Sequence, residues 1–98
     1  MKQERYHIFF DSPNGLIPGS LDLCKTEAGV SGHIAVLGHG TIISAGYMEG
    51  DLRAFDGTIW FREKNVPFHA DGLLTDGMLE LDITIGSQSF PMTGFPVS

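Results

Sequence analysis

Cysteine, tryptophan and positive charge are all scarce in this chain. Cys24 is the single cysteine and Trp60 the single tryptophan. One thiol excludes an intrachain disulfide, so no covalent framework holds the fold and nothing favours an oxidising compartment. Six Lys and Arg stand against twelve Asp and Glu, a formal net charge of −6. The basic residues are scattered from Lys2 to Lys64, whereas phosphate backbones and anionic membranes demand clusters of them. Nucleic acid and membrane are therefore excluded as expected partners. The opening residues Met1 to Phe10 lack the apolar run of about 7–15 residues that a secretion signal carries. No stretch is long enough to span a bilayer as a helix. The expected location is cytoplasmic.

Helical periodicity is also missing. Thirteen glycines in 98 residues are about twice the usual share, and they recur every eight to thirteen residues, the spacing of a short strand plus a turn. Asn14-Gly15, Asp56-Gly57 and Asp76-Gly77 are pairs that reach positive φ in tight hairpins, and Glu49-Gly50-Asp51 is a weaker signal of the same kind. Lys64-Asn65-Val66-Pro67 reads as a further break. Thr26-Glu27-Ala28 has room for one helical turn and no more.

Between these points the apolar residues alternate with period two. Met78 to Ile85 is the clearest case, with Leu79, Leu81, Ile83 and Ile85 on one face and Glu80, Asp82 and Thr84 on the other. Eight further segments read as strands: Arg5 to Asp11, Gly19 to Lys25, Val30 to Leu37, Thr41 to Met48, Asp51 to Phe55, Thr58 to Glu63, Val66 to Leu74 and Gln88 to Phe95. The expected fold is all-β, an antiparallel meander of about 8–9 short strands forming a single domain over 1–98. A weak repeat relates Ala45–Leu52 to Asp71–Leu79, with Val30–Ile34 as a shorter copy. Gly32, Gly46 and Gly72 fall inside strands, where glycine marks a sharp bend. Bent strands coil and close, and closure removes exposed edges, so the meander is expected to form a small β-barrel.

With Gly46, Gly50 and Leu52 followed by Gly72, Gly77 and Leu79, residues 16 to 95 resemble the calycin-like, or lipocalin-like, small up-and-down barrels. The Gly-x-Trp of true lipocalins near the first strand is missing, since Trp60 lies mid-chain. The resemblance implies a barrel with an interior pocket and carries no functional residue with it.

Recognisable catalytic and metal motifs are lacking too. His7, His33, His39 and His69 show no metal-ligand spacing, and there is no CxxC or HExxH. A cross-strand site built from His33, His69 and Asp71 is weighed against histidines that merely sit on the surface, and the surface reading is preferred. Ser31 and Ser44 lack a nucleophile elbow. Cys24 falls on the strand face opposite the leucines, beside Asp22, and reads as a half-buried structural thiol. Glu80 and Asp82 share a solvated face. Gly38-His39-Gly40 is no phosphate loop, because no helix follows it. No cofactor and no metal are expected.

The ten aromatics add one constraint. Neighbouring residues of a strand point to opposite faces, so Phe9-Phe10, Trp60-Phe61, Ile34-Ala35-Val36-Leu37 and Ile42-Ile43 make both faces apolar. A covered outer face, hence a homodimer, is the expectation. The leading functional expectation is a non-catalytic module binding a small apolar ligand or a protein partner. Tyr47, Phe55, Trp60 and Phe68 are the candidate lining residues. The alternatives are a small enzyme using His33 or His69 with Asp71, and a structural or assembly subunit.

Overall fold

The structure, a computed structural model, describes residues 2–97; Met1 and Ser98, the ends of the expected 1–98 domain, lie outside the described residues. Eight strands form one closed antiparallel barrel in sequence order. They are β1 (Lys2–Ser12), β2 (Gly15–Thr26), β3 (Gly29–Val36), β4 (His39–Glu49), β5 (Leu52–Phe61), β6 (Lys64–Thr75), β7 (Met78–Ile85) and β8 (Gln88–Pro96). The barrel closes through β1 and β8, which pair from Tyr6↔Pro96 to Phe10↔Met92. The all-β meander and its closure are thus observed, without helices among the described residues.

Eight strands replace the nine segments because Asp56-Gly57 is not a turn. The pair sits in the middle of β5, which runs unbroken against β6 from Leu52↔Leu73 to Phe61↔Lys64. Gly57 instead lies close against the neighbouring strand β4, where it pairs with Ile43: a Cβ there would lie 2.5 Å from the Ile42 carbonyl oxygen. The true turn is Arg62-Glu63, whose φ angles of 53° and 64° are both positive. Asp76-Gly77 does close a hairpin as expected, at φ 52° and 79°. Thr26-Glu27-Ala28 leads from β2 through a turn at residues 27 and 28 rather than a turn of helix.

Glycines that face the interior stand where neighbouring strands come too near for a side chain. At Gly32 an added Cβ would lie 1.8 Å from the Asp22 carbonyl oxygen, and at Gly72 1.9 Å from that of Glu80. Only hydrogen fits where neighbouring backbones come so near. β4 also bends at an irregularity between Ile43 and Ala45, an extra residue of the kind that increases local twist.

Proline placement follows the ladder. Pro18 pairs with Phe9 where the β2–β3 ladder has not yet begun, and Pro67 pairs with Thr58 before β6 meets β7. Pro91 and Pro96 likewise each have a partner on one side only. A residue without an N–H is tolerated where one of its flanks needs no hydrogen bond.

Side chains fill the interior. Ile8, Phe10, Leu21, Ile34, Phe55, Ile59, Leu79, Ile83 and Met92 belong to one fully buried cluster. Phe10, Phe61 and Phe90 meet with ring centroids 5.6–5.9 Å apart, and Phe55 stands edge-on to Phe68 at 5.9 Å. Aromatic pairs at such separations favour these tilted and edge-to-face arrangements.

Candidate functional site

The two ends of the barrel differ. At the end reached by the β2–β3, β4–β5 and β6–β7 turns, Arg53 enters the interior because alternation puts it on the same face as Phe55. Its guanidinium is 1% exposed and holds both carboxylate oxygens of Glu4, at 2.9 Å from Nε and 2.8 Å from Nη2. Nη1 donates to the carbonyls of Gly50 and Leu52, and the Tyr6 hydroxyl donates to Glu4 Oε1 at 2.8 Å. Burial acts to raise the Glu4 carboxyl, but the hydrogen bonds from Arg53 and Tyr6 outweigh it and hold the group below its ordinary range. Burial together with that acceptor pushes the Tyr6 hydroxyl up to about 12. Lys25 Nζ adds a bond of 2.6 Å to the Met48 carbonyl. This end is a plug of satisfied polar groups.

At the opposite end the β1–β2, β3–β4 and β5–β6 turns meet. A cleft of about 340 Å³ lies there, walled by Ile17, Leu37, Trp60 and Phe61, with Pro13, Arg62 and Glu63 at its rim. Its shape follows from local sequence. Ser12-Pro13-Asn14-Gly15 makes a tight turn in which the Ser12 hydroxyl accepts from the Asn14 N–H and donates to the Gly15 carbonyl. Leu37 turns the chain at φ 51° and is left 61% exposed, an apolar side chain presented to the cleft. His39 lies flat on Trp60, 3.7 Å between centroids and 10° between planes. The Arg62 guanidinium stands 4.9 Å from the centre of the Phe61 ring. The result is a flat apolar wall with charged and polar groups on its lip.

Of the four expected lining residues, Trp60 lines this cleft. Phe55 and Phe68 are buried in the packed interior, and Tyr47 stands on the outer face of β4 with its hydroxyl donating to Glu49. Every cleft residue other than Trp60 was missed by sequence reasoning, Ile17, Leu37, Phe61, Arg62 and Glu63 among them. Arg62 and Glu63 escaped notice because neither is a turn-forming type.

Histidine and carboxylate do meet, on the outer surface. His69 Nδ1 is 2.7 Å from Asp56 Oδ1 and its Nε2 is 3.2 Å from Asp71 Oδ2. The Asp56 hydrogen bond is the main cause of a raised imidazole pKa, partial burial opposes it, and the Asp71 bond adds to it. His33 lies elsewhere, on β3 in register with Asp22 and Ile42, and does not join this group. Among the described residues no group of three or more His, Cys, Asp or Glu side chains is arranged to hold a metal ion. Cys24 is half-buried and free.

Comparisons with protein-family models, with curated proteins and with solved structures find no match to this chain.

Proposed function

We propose that this chain is a non-catalytic binding module of calycin-like type that takes a small, flat, mostly apolar molecule at the mouth of the barrel rather than inside it. The observation that carries the reading is the cleft beside Trp60, open at one end of a barrel whose interior is otherwise filled. Ligand sites are typically concave and mostly apolar, with a few polar groups that fix orientation, and Leu37, Trp60, Arg62 and Glu63 have those characters. The His69–Asp71 contact supports an acid–base reading less well, because the pair is on the outer face with His69 47% exposed. General acid–base catalysis gains from holding substrate in a defined pose.

Trp60 supplies the assay, being the only tryptophan. Titration with planar probes such as indole, naphthalene and anilinonaphthalene sulfonate is expected to change Trp60 emission saturably. Leu37→Asn keeps a residue tolerant of positive φ while removing the apolar wall, and is expected to weaken binding about tenfold; Tyr47→Ser is expected to leave it unchanged. No saturable change with any probe up to about 1 mM, the range of the weakest useful binding, would remove the proposal.

A further inference from the structure

An apolar stripe crosses the outside of β2, β1, β8 and β7 diagonally. Register places Phe9 opposite Pro18 on one side and Thr93 on the other, while Leu16 lies one step along β2 and Phe95 one step along β8. Phe9 and Phe95 touch edge to face at 5.8 Å. Leu16 and Phe95 are 64% and 41% exposed, and together with Phe9 and Met78 they border one shallow groove of about 450 Å³.

Charge differs on the two flanks of the stripe. On one flank stand Arg5 and His7, with Asp22 paired to Arg5 at 3.3 Å. On the other stand Asp11, Glu80 and Asp82, whose register partners Leu16, Thr93, Leu73, Pro91 and Asp71 include no cation. A chain of net charge −6 gains nothing from long-range attraction to a copy of itself. Self-association must therefore rest on the uncharged stripe and match the flanks locally. A two-fold axis running along the stripe does this, because it lays each flank over the opposite flank of the other copy. Glu80 then faces the partner subunit's Arg5 and the partner subunit's His7. An axis across the stripe would stack carboxylates on carboxylates.

We propose that this stripe is the interface of a two-fold homodimer, its occupant a second copy of the chain, with the axis along the line from Leu16 to Phe95. The interface is separate from the barrel mouth.

Light scattering and sedimentation equilibrium across the micromolar range test it. The wild-type chain is expected to be a dimer. Leu16→Glu with Phe95→Glu, at exposed positions, is expected to raise the dimer Kd at least tenfold, with far-UV circular dichroism unchanged. Glu80→Arg is expected to weaken the dimer by up to about fivefold, the range of an exposed ion pair, and Arg5→Glu added to it is expected to restore affinity. A wild-type monomer at about 100 μM, or a dimer indifferent to the Leu16 and Phe95 changes, overturns the interface. Failure of the charge exchange to restore affinity overturns the orientation.

Discussion

Arg53 and Glu4 face each other inside the barrel as a two-pronged ion pair, with Nε–Oε1 at 2.9 Å and Nη2–Oε2 at 2.8 Å. Paired hydrogen bonds between planar groups are both stronger and more selective in geometry than a single contact. No buried side-chain nitrogen or oxygen among the described residues lacks a partner, so the charge pair is tolerated in an otherwise apolar interior. Removing Arg53 leaves Glu4 only the Tyr6 hydroxyl at 2.8 Å and the Lys2 ammonium at 3.5 Å. Arg53→Met is expected to cost about 1.5–3 kcal/mol, and adding Glu4→Leu to recover part of it. Urea denaturation of the two single variants and the double variant measures the coupling.

The same pair predicts how stability responds to acid. The folded state holds the Glu4 carboxyl below its ordinary value. Its contribution is therefore complete above the unfolded carboxyl pKa and is lost as pH falls through the lower, folded one. Denaturation midpoints measured from pH 7 to pH 3 are expected to fall more steeply for the wild type than for Glu4→Gln.

His69 behaves in the opposite sense. Its pKa is raised, chiefly by the bond to Asp56. The stabilisation is thus full below the unfolded imidazole pKa and disappears as pH rises through the folded value. Since His69 and both aspartates are about half exposed, the effect on stability is expected to stay under about 1 kcal/mol. Proton NMR titration is expected to show the imidazole titrating above its ordinary range, and Asp56→Asn to bring it down.

Glycine substitutions separate a close backbone approach from an open strand position. Gly72→Ala drives a methyl group against the Glu80 carbonyl and is expected to destabilise by at least about 1–3 kcal/mol. Gly40 has nothing within 4 Å of an added Cβ, and Gly40→Ala is expected to change stability by less than about 0.5 kcal/mol. Chemical denaturation compares them directly.

Both residues of the β5–β6 turn have positive φ although neither is glycine or asparagine. Replacing Arg62-Glu63 with Asn-Gly is expected to raise stability by about 1 kcal/mol. Because these side chains form the rim of the mouth, the Trp60 titration should be repeated on the same variant. Charge on the probe is then expected to matter less.

Legibility in the sequence tracked the range of the interaction responsible. Period-two alternation is local and strong, so β7 was readable from Met78 to Ile85 with the bounds observed. Gly32, Gly46 and Gly72 were readable as strand-interior glycines, and each stands where an added Cβ would meet a neighbouring strand's carbonyl at 2.9 Å or less. Asp56-Gly57 misled because a short-range turn signal and a long-range close approach both select glycine. Only the carbonyl of Ile42, on another strand, distinguishes them. Arg53 sits at an inward position of its strand, and alternation alone places it there; what sequence did not supply was Glu4, 49 positions away. The cleft was least legible, since it depends on three turns converging and on three positive-φ residues, Leu37, Arg62 and Glu63, without a turn-forming signature.

Closure through β1 and β8 bears on how the barrel is assembled. Seven of its eight pairings join consecutive strands and need only a tight turn, while the last must bring Ile8 to Gly94. Local pairings form fast and distant ones pay a larger loop-closure entropy. The β1–β8 seam is therefore expected to form last, and until it does both strands present unpaired edges. Phe9 and Phe95 meet across that seam, so the stripe assigned to a second copy does not exist as a continuous surface until the barrel has shut. Association through it would select closed molecules over open ones.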